Sequence, residues 1–390
     1  MITKDYDELF TFNALRRAHL RGRRCKRDKK PLVRFELTSL DHLYTLYDKL
    51  KAGKYKSAKY STFVVEEPKR REIQTQPYEN RIVQHVLCDD LLTPYFTARA
   101  ITDNAACQKG KGEHFALDRF EKMIQTHIGK YGVTGYFLKC DILKFFPSIP
   151  HEKLKEIFCE EIADERIKKM LSDIIDSYHT KRAFLEKYGI EPLGEEDMTG
   201  RGVPIGNQTS QIFGMFYLNG IDRLVKEKLR IKVYTRYMDD FVLLHHDKEY
   251  LMFVYETLKT AVAKLGLQFN EKTQIIPIQN GVTNLGFRFF IGKKGEIKKV
   301  KAEGTGRANG EESENVKTKK GKTVIRNVKK STKRRIRKRA KLLKKAYLDG
   351  IIPIERVNAS KAAFHGHLKH GDCRRFEEEL DRKLNFEDEE

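Results

Sequence analysis

The chain has 390 residues, and its 77 Lys plus Arg outnumber 55 Asp plus Glu, a formal net charge of +22. That length exceeds one small core and predicts two or three subdomains. No run approaches eighteen uncharged apolar residues, which excludes a helical membrane span, and the basic excess points to a polyanionic partner, most simply nucleic acid. Cys25, Cys88, Cys107, Cys140, Cys159 and Cys373 form no CxxC pair and read as reduced thiols of a cytoplasmic protein. The opening "MITKDYDELF" carries no basic-then-apolar leader.

Residues 1–60 read as a basic helical segment, with the run "RRAHLRGRRCKRDKK" and an amphipathic helix "SLDHLYTLYDKLKAG" ending at Gly53. "STFVVEEPKRREIQTQP" is β-branched, carries a turn at Glu67–Pro68 and predicts a hairpin. "ENRIVQHVLCDDLLTPYF", with Ile82, Val86 and Leu87 on one face, and "GEHFALDRFEKMIQTHI" predict helices. "GYFLKCDILKFF" begins as a strand with Asp141 at its end, and Pro147 and Pro150 stop it before the helix "HEKLKEIFCEEI". Residues 181–200 read as a polar connection, and "GVPIGNQTSQIFGMFYLNGIDRLVKEKL" as a loop entering one long helix after Gly206. Then come the hairpin "VYTRYMDDFVLLHH", the helix "EYLMFVYETLKTAVAKLG" and strands around "TQIIPI" and "TNLGFRFF".

Residues 293–322 turn Gly-, Lys- and Glu-rich and read as a mobile insert or a long hairpin tip. Residues 323–390 read as a basic helical unit with an acidic tail. Between Gly321 and Ala346 there are thirteen Lys or Arg and no acid. In "STKRRIRKRAKLLKKAY" the apolar Ile336, Ala340, Leu343 and Tyr347 share one helical face. Such a helix suits the phosphates of a nucleic-acid duplex, giving affinity without sequence reading. No period of 20–50 residues repeats. The mixed order of strands and helices argues an α+β fold.

Two aspartate pairs stand in the chain. Asp89–Asp90 lies in a helical pattern and needs no special explanation. Asp239–Asp240 lies at a tight turn between two apolar strands, and Asp141 ends a third. If those strands share a sheet, three carboxylates converge at its edge. Like charges gathered there require a cation. Hard divalent ions such as Mg²⁺ choose oxygen ligands, and two ions about 4 Å apart serve phosphoryl transfer. The carboxylates alone leave open whether the enzyme is a polymerase or a two-metal nuclease.

The surrounding motifs resemble those of reverse transcriptases. "YMDD" resembles their catalytic hairpin, "FLKCDILKFFPSI" the motif of the first catalytic aspartate, and "GVPIGNQTSQIF" the following QGxxxSP motif. "LQFNEKTQ" and "NLGFRF" resemble later palm motifs, and "PKRREI" followed by "NRIVQ" the fingers motifs. They occur in family order over roughly residues 60–290. The resemblance implies a right-hand polymerase with fingers at 61–135, palm at 136–292 and a helical thumb at 323–390. It implies catalysis by Asp141, Asp239 and Asp240, holding Mg²⁺ (Mn²⁺ as a substitute) together with the backbone carbonyl of Ile142. It places Lys69, Arg71, Phe145, Phe146, Ile205, Gly206, Gln211 and Lys272 at the dNTP, with Phe146 as the gate against a ribose 2′ hydroxyl. It places Tyr237, Met238, Leu285, Gly286, Arg334, Arg335, Arg337 and Lys338 along primer and template.

Two departures narrow the resemblance. Ile205 stands for the family's Gln, and Gln211 for its Pro. This form, and "NASKAAFHGHLKHGDC" in the thumb, resemble the reverse transcriptases of diversity-generating retroelements. These copy a template RNA into cDNA with errors at adenines, alongside a small basic oligomeric accessory protein. An apolar Ile205 beside the nascent pair holds it less specifically than an amide, so low fidelity is expected. The acidic "FEEELDRKLNFEDEE" is a candidate face for the accessory protein. A retron, phage-defence or group II intron-like enzyme is the nearest alternative; either way a prokaryotic or phage origin is expected. No second, RNase H-like carboxylate cluster and no HNH-like array follow the palm. His365, His367, His370 and Cys373 fit no common zinc spacing and read as helix surface beside nucleic acid.

Overall fold

The computed structural model describes residues 1–66, 70–196, 198–292 and 324–385. The predicted Glu67–Pro68 turn, Lys69, the insert at 293–322 and the last residues of the acidic tail lie outside the described residues. Among the described residues the fold mixes helices with three antiparallel sheets, and the chain divides into two compact units. The first comprises Met1–Gly110, Asp141–Arg230 and Val254–Lys272, the second Lys111–Cys140, Ile231–Phe253 and Thr273–Glu390.

In the first unit the helices Phe12–Gly22, Lys30–Leu37 and Ser39–Lys51 precede a hairpin of β1 (Ser61–Val65) and β2 (Arg71–Thr75). Leu43, Leu46 and Leu50 are the buried stripe of Ser39–Lys51, and Gly53, at φ +65°, ends it as expected. Helix Tyr78–Leu87 buries Ile82, Val86 and Leu87 and continues through a π turn, Cys88–Leu92, into Thr93–Arg99. Asp89 and Asp90 sit in that π turn. Arg21 Nε lies 2.8 Å from Asp89 and its Nη2 3.3 Å from Asp90, while Gln208 donates to Asp89 at 2.6 Å. This pair is a structural joint between the N-terminal helices and the rest of its unit.

Two predictions for this unit are corrected. The long helix expected after Gly206 is broken into Gln208–Phe216, Asn219–Arg223 and a π turn, Leu224–Lys228. The buried amide of Asn104 donates to the Met215 carbonyl at 3.0 Å, the acceptor that a continuous helix would offer to Asn219. The 181–200 connection is also more ordered than its composition suggests. It holds a helix, Arg182–Lys187, with Leu185 buried. The buried Arg201 donates to the carbonyls of Glu191, Ser148 and Gly266 at 2.7–2.9 Å and clasps the connection to its unit.

The second unit is built on β3 (Tyr136–Cys140), β4 (Val233–Tyr237), β5 (Asp240–His245) and β6 (Gln274–Pro277), in the order β4-β5-β3-β6. Phe241 to Leu244 are all buried, so β5 reads as an unbroken apolar run. A second sheet joins β7 (Val282–Asn284), β8 (Phe287–Ile291) and β9 (Val324–Val328). Strand β9 corrects the all-helical reading of residues 323–390. Its alternation, with Val324, Arg326 and Val328 inward, is only five residues long and carries a buried arginine. Arg326 is compensated by Asp118 at 2.7 Å and Glu121 at 3.4 Å, both on helix Glu113–Tyr131.

Helices Lys330–Leu348, Ile354–Leu368 and Arg374–Lys383 complete this unit. Ile336 and Ala340 are buried, and Leu343 and Tyr347 pack on the same core, the face predicted from sequence. That core joins Phe120 and Phe137 to Val242, Leu244, Phe287, Phe289, Val357, Leu368 and Phe376. Each such side chain stabilises the unit by about 1.5–3 kcal/mol. Among the described residues no helix is long and apolar enough to cross a membrane.

Candidate active site

Asp239 and Asp240 lie where β4 turns into β5. Tyr237 pairs with Asp240, which leaves Met238 and Asp239 as a two-residue loop. Met238 holds φ +58°, a left-handed conformation uncommon for a bulky residue. What supports it is Arg236, which is fully buried and donates through Nη1 to the Met238 carbonyl at 2.8 Å. Both aspartates and Tyr237 and Met238 are partly exposed at the mouth of the turn. Lys139, on the neighbouring β3, has its Nζ 3.4 Å from Oδ1 of Asp240. Lys329 is half-buried nearby; burial first and the Lys139 charge second push its ammonium down, against the pull of Asp240.

In the same unit Leu285 and Gly286 form the turn between β7 and β8, at φ +45° and +83°. The Gly286 carbonyl accepts from the Lys329 backbone at 3.1 Å. Arg334, Arg335, Arg337 and Lys338 are exposed on helix Lys330–Leu348. Arg337 is not free for a phosphate: its Nε and Nη2 grip Glu379 at 2.8 and 2.6 Å. The histidines of the C-terminal helices go to separate partners. His365 contacts Asp381 at 2.8 Å, His367 packs on the ring of Phe287, and His370 stacks on His114. Cys373 donates to Asn327.

In the first unit Asp141 begins a bridge with residues 268–270. Asn270 donates to the Asp141 carbonyl at 2.7 Å and Leu143 to that of Gln268 at 2.9 Å. Ile142 sits between these bonds opposite Phe269, and the bridge does not use its carbonyl. Asn270 also accepts from the backbone of the exposed Lys272 at 3.1 Å. Phe145 is buried against Phe146 and Tyr217, while Phe146 is partly exposed. The Phe146 carbonyl accepts from Val203 at 3.0 Å, which ties this motif to the one that follows.

Ile205 is locked from both sides by Gln74 of β2. Its N–H donates to the Gln74 side chain at 3.2 Å and its carbonyl accepts from the Gln74 backbone at 3.0 Å. Gly206 has φ +137°, and a Cβ there would overlap the Gln74 carbonyl, so only glycine lets β2 approach. Gln211 is exposed, and Arg71 stands exposed at the start of β2. Lys139, Arg236 and Gln74 were not singled out from sequence. The first two were visible only as lone cations inside apolar strand patterns.

Among the described residues no three His, Cys, Asp or Glu side chains gather within reach of one ion. The donor set of the turn nevertheless fits a divalent cation: two adjacent carboxylates supply hard oxygens, and the Lys139 ammonium already stands against one of them.

A family model described as reverse transcriptase (RNA-dependent DNA polymerase) matches residues 80–289, more than half of the chain. The chain belongs to the reverse transcriptase family. Members of this family are nucleotidyltransferases and generally use divalent metal ions. Among solved structures the chain is similar to apo telomerase from Candida tropicalis, at 16% identity and a TM-score of 0.43, covering 60% of this chain and 46% of that one. It is also similar to the same telomerase truncated from its C-terminal domain, at 16% identity and a TM-score of 0.39, covering 64% and 58%. The chain thus spans about half the length of the solved chains it matches. No curated protein sequence matches it.

Proposed function

We propose that this chain is an RNA-directed DNA polymerase that uses Asp141, Asp239 and Asp240 to hold Mg²⁺, with Mn²⁺ as a substitute. One observation carries the reading. Cys140 pairs with Phe241 across β3 and β5, Asp141 follows Cys140 in the chain, and Asp240 precedes Phe241. The proposed triad needs the register to continue for one more residue. Bound divalent ions would activate the primer 3′ hydroxyl and stabilise departing pyrophosphate. The chain's residues do the rest. The Ile142 carbonyl adds a neutral oxygen donor. Arg71 and Lys272 meet the triphosphate, Phe146 excludes a 2′ hydroxyl, and Tyr237, Met238, Leu285 and Gly286 contact primer and template. Arg334, Arg335 and Lys338 follow the phosphates of the template RNA–cDNA duplex.

Within the family the reading is a diversity-generating enzyme. Its support is Ile205 and Gln211 in place of the usual Gln and Pro. The backbone of Ile205 is fixed by Gln74, and in this reading its apolar side chain meets the nascent pair. Loss of a hydrogen-bonding group there lowers discrimination. A small basic accessory protein is part of this reading. The helix Arg374–Lys383 is a weak docking face for it, because Glu377, Glu378, Glu379 and Asp381 already pair with His365, Arg374, Arg337 and Lys361.

Extension of oligo(dT) on poly(rA) with Mg²⁺ or Mn²⁺, abolished by Asp239→Ala, is the expected result. Its absence with the neighbouring RNA and accessory protein supplied would sink the polymerase reading. Sequencing the cDNA tests the subclass: Ile205→Gln should lower errors at template adenines by about tenfold. An unchanged spectrum would leave Ile205 as packing and favour a retron-like or group II intron-like enzyme.

A further inference from the structure

Lys139 stands on the strand between β5 and β6, opposite Val242 on one side and Gln274 on the other. Asp240 is two residues from Val242, so Lys139 and Asp240 are diagonal neighbours on one face of the sheet, within reach of a long side chain. The structure closes that diagonal at 3.4 Å. The same ammonium donates to the carbonyl of Thr283 on β7 at 2.7 Å. Thr283 lies two residues before the Leu285–Gly286 turn. One lysine therefore spans from the catalytic hairpin to the β7–β8 hairpin, with its side chain only 21% exposed.

A lysine against a metal-binding carboxylate has two opposed effects. Without an ion it offsets the repulsion between Asp239 and Asp240 and keeps the turn in place. With an ion it is a competitor, because two cations share one carboxylate. We propose that Lys139 is a positioning residue: a built-in placeholder cation that holds Asp240 until a divalent ion takes it. On release from Asp240 the ammonium keeps the Thr283 carbonyl, so the exchange is felt at the β7–β8 turn. This rests on Asp240 being a metal ligand, as proposed above.

The test measures metal affinity and stability on the whole chain. Lys139→Met keeps the length and removes the charge, Lys139→Gln keeps a donor for Thr283, and Lys139→Arg keeps the charge. Titrate each with Mg²⁺ alone, reading Tm and calorimetric heat. Both uncharged variants should melt lower than wild type in EDTA and show a larger Mg²⁺-dependent gain in Tm. They should half-saturate at about fivefold less Mg²⁺, the scale of a partly exposed ion pair. Lys139→Arg should behave as wild type. In an Asp240→Asn background, Lys139→Gln should have no further effect on Mg²⁺ affinity. If wild type and Asp240→Asn respond alike to Mg²⁺, the metal-site reading itself fails. If they differ but Lys139→Gln keeps the wild-type half-saturation, the metal site stands and the placeholder role is overturned.

Discussion

At the scale of single residues, Arg236 supports the turn between β4 and β5, which holds Asp239. Its guanidinium is fully buried and meets the carbonyl of Met238, whose backbone sits at φ +58°. Strained backbone of this kind persists only where its surroundings over-determine it. Arg236→Met fills similar volume but leaves the Met238 carbonyl without that donor. It should cost about 3 kcal/mol of stability in denaturant titrations. It should also lower kcat and raise the KM for primer, since the loosened turn carries both Asp239 and Met238 of the proposed site. A variant as stable and as active as the parent would show that the buried charge does nothing for the turn. Gly206 is the complementary case, where the absence of a side chain is the requirement. It lets Gln74 reach Ile205 from both sides, and no larger residue could share that space.

Elements show how side chains override local pattern. The run after Gly206 has helical periodicity throughout, yet the helix breaks at Leu218 and the Asn104 amide binds the Met215 carbonyl beside the break. Helices Lys330–Leu348 and Arg374–Lys383 are held apolar face to apolar face and then by Arg337 on Glu379. The hydrogen bond from Arg337 is the largest influence on Glu379, with burial opposing and Lys383 assisting, and it holds the carboxyl at about 2. A carboxyl lowered on folding stabilises the fold above its unfolded value, near 4.5, and that contribution is lost as pH falls through about 2. Melting curves should therefore show the advantage of wild type over Glu379→Gln constant near neutrality and vanishing between pH 4.5 and 2. Its size should stay below about 1 kcal/mol, because both side chains are partly exposed. An advantage that survives at pH 2 would place the stabilisation in packing.

At the scale of the whole molecule, the proposed polymerase role and the charge of +22 together predict that salt is the main control of nucleic-acid affinity. Each phosphate contact removed should reduce the slope of log affinity against log salt by about one. Alanine at Arg334, Arg335 or Lys338 should each do so on a template–primer duplex. Arg337→Ala should leave the slope nearly unchanged and lower thermal stability, because its partner is Glu379. Equal slope changes at all four positions would mean that Arg337 leaves Glu379 when nucleic acid binds.

The sequence by itself determined what is local or periodic. The "YMDD" turn between apolar strands, the stripe from Ile336 to Tyr347 and the stop at Gly53 follow from side-chain spacing and glycine freedom, and the structure keeps them. Family membership was legible too, because the motifs are short, ordered and chemically specific. Tertiary structure decided what depends on partners far apart in the chain. It made Asp89–Asp90 an ion-paired joint through Arg21, put Arg337 on Glu379, formed β9 by giving Arg326 two carboxylates, and set Lys139 against Asp240. A charge in a sequence has no fixed role. Whether it is solvated, paired or poised over a reaction depends on which opposite charge folding brings within a few ångströms, and that is a property of distance in space.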